Sequence, residues 1–166
     1  MKSRTLSFFF LVLMVCALVF VLTSAATLPP RLASHFDLSG TPNGWMSPSE
    51  YLPLMLGVLT LIPGLLWSLP LFLHRLPLQL INLPHRDYWF APERAAESLQ
   101  ALQIYMRTMA CFLVLFLTDV HWQVVQANRH EPPQLSGAGM GIGLIVFLIA
   151  SGIWSLQMHR RFRKPA

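Results

Sequence analysis

The sequence predicts an all-α, polytopic membrane protein: a four-helix transmembrane bundle with both termini on the cytoplasmic side. Of the 166 residues, 54% are hydrophobic and only 11% are charged. A soluble domain carries about 25% charged residues, so lipid must cover much of the surface of this protein. The length is typical of one domain, and we assign residues 1–166 to a single membrane unit.

Four apolar segments are long enough to cross a bilayer, whose core of about 30 Å takes roughly 20 helical residues. Only the third of these segments carries charges in its interior, at Arg107 and Asp119. The predicted order is first span 7–26, loop 27–50, second span 51–73, loop 74–103, third span 104–123, loop 124–137, fourth span 138–158 and basic tail 159–166.

The distribution of basic residues predicts the orientation, because Lys and Arg concentrate on the cytoplasmic side of a membrane. With the N-terminus inside, ten of the twelve Lys and Arg residues lie inside or at the inner boundary, and only Arg31 and Arg129 lie outside. The loop 27–50 is then outside and the loop 74–103 inside. This topology predicts a multi-pass protein of the cell membrane. It explains the basic tail without a nucleic-acid partner.

The first span has a second interpretation. Its MKSR start, apolar run and TSA end are also typical of a secretory signal that is cleaved after Ala25. The apolar run is at the long end for such a signal, so we favour an uncleaved anchor, and an intact-mass measurement distinguishes the two. The orientation of the remaining spans is the same in both cases.

Turn and cap chemistry accounts for most of the loop 27–50. Pro29 cannot continue a helix and ends the first span. The Asn-Gly pair that finishes at Gly44 tolerates positive φ and predicts a turn, while Ser47 and Glu50 form a capping box at the start of the second span. Trp45 suits a membrane interface. The residues with a predicted structural role are Leu28, Pro29, Phe36, Gly40, Pro42, Gly44 and Trp45.

Two polar residues of the same loop are candidates for binding. In an extended backbone, His35 and Asp37 point to one side and Phe36 to the other, so Phe36 packs on the bundle while the imidazole and carboxylate point outward. One interpretation is that both polar groups cap nearby backbone and face water. The other is a ligand or metal site on the outer surface.

The third span supplies possible partners for these residues. Asp119 and His121 lie near its outer end, and ionisable groups at membrane depth usually face the bundle interior or water. Two positions apart on a helix they differ by about 200° and face different directions. We predict a polar cluster of His35, Asp37, Asp119 and, as an optional member, His121. Hydrogen-bonded clusters are commoner than metal sites, so we predict no cofactor and keep a metal as the minor alternative.

The fourth span begins with GAGMGIG, which contains two overlapping GxxxG pairs, Gly137–Gly141 and Gly139–Gly143. Small residues at this spacing let helices approach closely. We favour packing within the bundle over self-association of two chains.

The inner loop contains NLPHRDYWFAPER, whose aromatic residues predict an inner aromatic belt. Exposed loop aromatics also mark binding surfaces. The alternative is therefore a docking surface for a cytosolic partner at Arg86, Tyr88 and Trp89.

The stretch LPPRLASHFDLSGTPNGWMS resembles the signature of a bacterial membrane family of unknown function: Leu-Pro, then His-Phe-Asn or Asp, then Gly-x-Pro-Asp or Asn-Gly-Trp. The same domain begins proteins similar to the Sdp immunity protein, which protects a cell from its own secreted peptide toxin. NLPHRDYWFAPER also resembles a segment of many such proteins. The resemblance covers the first two spans and the inner loop. It implies an integral membrane protein of the cell envelope and no settled activity.

These observations favour a non-enzymatic, immunity-type binding protein, which recognises a membrane-active peptide toxin or an envelope ligand through its outer His/Asp loop. The alternative is a small membrane enzyme or transporter that uses His35, Asp37 and Asp119 around a metal or a proton path. The sequence contains no HExxH, CxxC, GxSxG or phosphate-loop motif. It also lacks the paired broken helices of many transporters.

Overall fold

The structure, a computed structural model, describes residues 3–72, 75 and 83–163. Residues 1–2, the last residue of the predicted second span (73), part of the predicted inner loop (74 and 76–82) and the last three residues of the basic tail lie outside the described residues. The elements are α1 Ser3–Ser24, a 3₁₀ turn Ala25–Thr27, β1 Leu32–Phe36, β2 Pro42–Met46, α2 Pro48–Phe72, α3 Arg86–Trp89, α4 Ala95–Ala127 and α5 Gly137–Arg161.

The predicted helical fold class is confirmed. Helices α1, α2, α4 and α5 are each long and apolar enough to cross a membrane, as fits an integral membrane protein with several passes. The third of these helices is longer than the span predicted for it: α4 has 33 residues and a length of about 50 Å. The helix continues beyond the apolar segment into mixed stretches, which include Glu97 near its start and Gln126 near its end, because polar residues end a membrane span without ending a helix.

Helix α4 is the centre of the bundle and packs against all three other long helices. One side of α4 buries Ala110, Val114 and Cys111 against α1 and α2, in a core that also contains Val21 and Leu59. The opposite side carries α5, which has no buried residue of its own. The apolar surface of α5 therefore faces the lipid.

Glycines bring α4 and α5 close together, as predicted for packing within the bundle. A methyl group added at Gly139 would lie 2.7 Å from the amide oxygen of Gln123, and one added at Gly143 would collide with the carboxylate of Asp119. The other GxxxG pair faces open space. The Gly139–Gly143 pair thus packs against α4 of the same chain, and it lets the side chains of Gln123 and Asp119 lie against the backbone of α5.

The predicted outer loop contains a short antiparallel sheet. Strands β1 and β2 pair Leu32 with Met46, Ala33 with Trp45 and His35 with Gly44. The turn predicted at the Asn-Gly pair is wrong, because that pair lies inside β2. The chain instead reverses direction over residues 37–41, where Gly40 has a φ of +81°.

The predicted capping box at the start of α2 is half formed. The carboxylate of Glu50 accepts a hydrogen bond from the backbone N–H of Ser47 at 2.8 Å. The Ser47 hydroxyl also donates to this carboxylate. The backbone N–H of Glu50 bonds the backbone oxygen of Ser47 and not its hydroxyl, so the second bond of the box is absent. The aromatic side chain of Tyr51, one residue further, is buried in the core.

The aromatic residues of the inner loop hold the end of α5, in a cluster that we call the collar: Leu83, Trp89, Leu102 and Phe162. The indole N–H of Trp89 donates to the backbone oxygen of Phe162 at 2.7 Å, and the two rings meet edge to face. The hydroxyl of Ser98 donates to the Trp89 carbonyl at 2.8 Å. These bonds tie α3, α4 and the end of α5 together.

The prediction of a belt or docking surface at Arg86, Tyr88 and Trp89 is therefore wrong for Trp89. Its side chain is only 8% exposed and its polar atom is used inside the chain. Tyr88 is half-buried and is covered by the guanidinium of Arg94, 4.0 Å from the ring centre. Trp89 is buried because it lies against the C-terminal end of α5, and the local sequence does not reveal this contact.

We expect Trp89→Ala to lower the free energy of unfolding by about 3–5 kcal/mol, because it empties the centre of the collar and removes a buried hydrogen bond. The measurement is denaturant unfolding of the protein in detergent micelles. Trp45→Ala is the matched control, since Trp45 is 42% exposed. Equal losses for the two variants would contradict the role of the collar.

Candidate functional site

The hairpin end of the bundle, where β1 and β2 meet the ends of α1 and α4, contains most of the polar residues singled out by the sequence. His121 lies at its base and is completely buried. Its Nε2 is 2.7 Å from the hydroxyl of Ser24 at the end of α1. Its Nδ1 is 3.0 Å from the hydroxyl of Tyr51 near the start of α2. One imidazole therefore joins three helices.

The directions of these hydrogen bonds depend on the tautomer of the imidazole. With the proton on Nε2, the ring donates to Ser24 and accepts from Tyr51, and the Ser24 hydroxyl donates to the backbone oxygen of Val21 at 3.0 Å. With the proton on Nδ1, the ring donates to Tyr51 and accepts from Ser24. A neutral imidazole satisfies either arrangement completely. The ring is also stacked on Tyr51 and meets the edge of Phe20, so His121 is part of the framework and is closed to ligands.

Asp119 and His121 lie on different sides of α4, as the helical spacing predicts. The Oδ1 of Asp119 is 3.4 Å from the amide nitrogen of Gln123. Its Oδ2 is buried and accepts no hydrogen bond from the described residues. This oxygen lies against Gly143 of α5. Asp119 is thus on the α5 side of α4, while His121 is on the side of α1 and α2.

Asp37 forms the turn of the hairpin. Its Oδ1 accepts from the hydroxyl of Ser39 at 2.6 Å and from the backbone N–H groups of Ser39 and Thr41, both at 2.9 Å. The hydroxyl of Ser39 and then the amide of Thr41 hold the pKa of the Asp37 carboxyl below its ordinary value. Backbone capping, the first of the two interpretations offered above, is the role that these bonds indicate for Asp37.

His35 and Phe36 lie on opposite sides of the hairpin, as an extended strand requires. Phe36 is half-buried and packs on the core. His35 is exposed, with its Nδ1 3.0 Å from the hydroxyl of Ser34. Its side chain lies over Gly44, where an added methyl group would be 2.9 Å from the His35 Cβ. Glycine is therefore needed at position 44 for close approach and not for a turn.

The predicted polar cluster does not form. His35 lies on an exposed strand, Asp37 turns back on its own loop, and His121 is enclosed between helices. Within the described parts of the chain, no three His, Cys, Asp or Glu side chains lie close enough together to hold a metal ion. The physical reason is that Asp37 is bonded within its own turn, while His121 and Asp119 lie on different sides of α4.

Sequence reasoning missed the residue that fixes the hairpin to the bundle. The side-chain amide of Asn128, just after α4, accepts from the Ala33 N–H at 2.7 Å and donates to the Ala33 oxygen at 2.9 Å. It thus pairs with β1 as the backbone of a neighbouring strand does. An Asn directly after a helical pattern is a known cap signal, but its partner 95 positions away has no local signal.

The tip of the hairpin is held by the loop that precedes α5. The side chain of Gln134 donates to the Ser39 oxygen at 2.9 Å, and the backbone N–H of Leu135 donates to the Gly40 oxygen at 3.0 Å. Leu38, between these anchored positions and Asp37, is fully exposed. The hairpin is therefore a fixed element that presents an apolar side chain at its tip.

One protein family matches part of the chain. Residues 11–61 match the family described as "Domain of unknown function (DUF1648)". The match includes most of α1, the whole hairpin and the first half of α2, so over this segment the chain is similar to an uncharacterised membrane family. No curated protein matches the chain. No solved structure matches it either.

We expect Tyr51→Phe to lower the free energy of unfolding by about 1–3 kcal/mol, because it leaves the buried Nδ1 of His121 without its hydrogen-bond partner. The matched control is Tyr105→Phe, which removes a hydroxyl that bonds the Gln157 oxygen in an exposed position. The same unfolding measurement serves both variants. A loss for Tyr51→Phe no larger than for the control would show that the buried network does not join the helices.

The Asp37 turn predicts a pH dependence. Since the folded carboxyl has a lowered pKa, its contribution to stability is present above the pKa of the unfolded state and is lost as the pH falls through the folded value. We expect the hydrogen-exchange protection factor of the Thr41 amide to fall in acid. In Asp37→Asn, protection should be lower at neutral pH and independent of pH in this range. A wild-type protection factor that stays constant into acid would refute this role.

Proposed function

We propose that this protein is a non-enzymatic binding protein of the cell membrane, which recognises a membrane-active peptide or another envelope ligand through its hairpin. The observation that carries the proposal is Leu38. Its side chain is fully exposed, yet it stands on a turn whose backbone is bonded on both sides. An apolar side chain that is held in place in this way can insert into an apolar pocket of a partner.

The rigidity of the hairpin supports this role. Asp37, Asn128 and Gln134 hold its turn, its first strand and its tip before any ligand arrives. A preorganised surface loses little conformational entropy on binding. Burial of an exposed leucine side chain in a partner contributes about 1.5–3 kcal/mol. The fixed tip therefore offers both an apolar contact and a low entropic cost.

His35 and Trp45 extend the proposed contact surface along the strands. His35 is exposed beside Gly44, and Trp45 is 42% exposed with the guanidinium of Arg31 5.1 Å from its ring centre. Aromatic and arginine side chains are the commonest anchors of interfaces. Asp37 acts in this proposal by shaping the turn. Asp119 and His121 lie elsewhere and take no part.

The proposed orientation places the hairpin outside the cell. The end of the bundle with the collar carries Arg94, Arg160, Arg161 and Arg163, while the hairpin end carries Arg31 and Arg129. This asymmetry favours the collar on the cytoplasmic side. The hairpin then meets ligands that arrive from outside, which is where a secreted membrane-active peptide acts.

Survival of cells tests the proposal. Cells that lack the protein receive wild type, a His35→Ala/Leu38→Ser double variant, or one of two controls at equal membrane levels. Each strain is exposed to spent medium from its own stationary culture and to a panel of membrane-active peptides. We expect wild type to protect and the double variant to fail, because it removes two proposed contacts and leaves the Asp37 turn intact.

The controls separate recognition from general damage. His130→Ala removes an exposed imidazole from the second loop at the same end of the bundle, and Leu38→Met keeps an apolar tip. Both should protect as wild type does. Equal survival of all strains, including cells without the protein, would refute the binding and immunity role.

A further inference from the structure

A groove of about 170 Å³ lies beside the collar, where the last turns of α5 meet the residues just before α3. Its walls combine apolar side chains with two polar residues of α5, Ser155 and His159, which are both exposed. Four positions apart on a helix, these two residues lie on one face and about 6 Å apart along the axis. The lining residues are Leu83, Pro84, Ser155, Met158, His159 and Phe162.

The hydroxyl of Ser155 differs from most hydroxyls of the long helices. Those of Thr23, Thr60, Thr108 and Thr118 each donate to the carbonyl oxygen four residues earlier. That of Ser155 forms no hydrogen bond with the described residues. The hydrocarbon of a bilayer offers no water to replace such a bond. Ser155 therefore presents a donor that is accessible from the groove and is not used by the fold.

The same end of the bundle carries positive charge that the fold does not use. Arg161 pairs with Glu97. Arg160 and Arg163, on either side of the Arg161–Phe162 pair, are exposed and form no ion pair with the described residues. Residues 83–97 and 159–163 together contain five arginines, Arg86, Arg94, Arg160, Arg161 and Arg163, against three acidic residues, Asp87, Glu93 and Glu97. This excess favours an anionic ligand at the mouth of the groove.

The order of these donors matches the order of groups in a phospholipid. The phosphate of a phospholipid lies at the membrane surface, and the ester oxygens of its acyl chains lie one glycerol unit deeper. On α5 the cationic residues and His159 lie at the end of the helix, and Ser155 lies about 6 Å further into the bilayer. A phosphate can thus meet the cations while an ester oxygen meets the Ser155 hydroxyl.

The helix face beyond Ser155 provides a path for an acyl chain. Gly152, almost one turn further, has open space where a side chain would stand. Leu148, one turn beyond it, is exposed. A free phosphate would use neither this apolar path nor Ser155. A zwitterionic lipid would bring its own cation towards the arginines.

We propose that this groove binds one anionic phospholipid of the phosphatidylglycerol class. Arg160, Arg163 and His159 contact its phosphate. Ser155 donates to an acyl ester oxygen, and the acyl chain follows α5 past Gly152. In the proposed orientation this lipid belongs to the cytoplasmic leaflet, where anionic lipids give the membrane a negative surface. The site lies at the opposite end of the bundle from the hairpin, so its test does not depend on the proposed recognition of an outer ligand.

Native mass spectrometry of the purified full-length chain tests the proposal. The probes are dioleoylphosphatidylglycerol and dioleoylphosphatidylcholine, which have the same acyl chains, and soluble glycerol phosphate. We expect the first phosphatidylglycerol to bind about tenfold more tightly than phosphatidylcholine, because two unpaired arginines face its phosphate without a competing cation. Equal affinity of the two lipids would overturn the proposal. Binding of glycerol phosphate as tight as that of phosphatidylglycerol would also overturn it, because the ligand would then be a soluble phosphate.

Single substitutions locate the site. Arg160→Gln and Arg163→Gln should each weaken the binding of phosphatidylglycerol about fivefold and leave that of phosphatidylcholine nearly unchanged. Ser155→Ala should weaken both lipids about threefold, since both carry the ester oxygen.

Arg129→Gln is the matched control, because it removes one exposed arginine from the hairpin end of the bundle. It should bind phosphatidylglycerol as the wild type does. Equal losses in Arg129→Gln and Arg163→Gln would attribute the binding to net charge alone and overturn the site.

Discussion

The buried imidazole of His121 is the contact on which the hairpin end of the structure depends. It forms hydrogen bonds with the hydroxyl of Tyr51 in α2 and the hydroxyl of Ser24 in α1, so both helices are held to α4 at the same level. The segment between Ser24 and Tyr51 therefore starts and ends at one point of the bundle. A segment whose two ends lie close together readily forms a hairpin, and here β1 and β2 pair to form it.

The hairpin in turn depends on a second constraint, which is the satisfaction of its backbone groups. A two-stranded sheet is marginal on its own. Here one edge is bonded by the side chain of Asn128, and the tip is bonded by Gln134 and the backbone of Leu135. The residues between the end of α4 and the start of α5 thus stabilise a hairpin that lies between α1 and α2 in the sequence. This coupling explains why a short loop can present Leu38 and Trp45 in fixed positions.

Asp119 and His121 show how much of the site could be predicted. Their spacing on one helix correctly indicated that they face different directions. The predicted cluster with His35 and Asp37 was wrong, because a hydrogen-bonding residue type does not reveal which partner it finds. Asp37 is satisfied within its own turn, and His121 by two hydroxyl groups from other helices. Tyr51 was predicted only as the first residue of the second span, since nothing in its local sequence marks it as a hydrogen-bond partner of α4.

The sequence by itself determined the membrane class, the four apolar helices and the end of the first helix before Pro29, because length, hydropathy and proline act locally. It also indicated the GxxxG pair at Gly139, whose small residues permit close approach wherever a partner lies. Only the tertiary structure decided that Trp89 is buried beneath Phe162, that Asn128 holds β1, and that Asp119 lies against Gly143. Each of these outcomes joins residues far apart in the chain, and such pairs are chosen by packing and hydrogen-bond satisfaction, which no local pattern encodes.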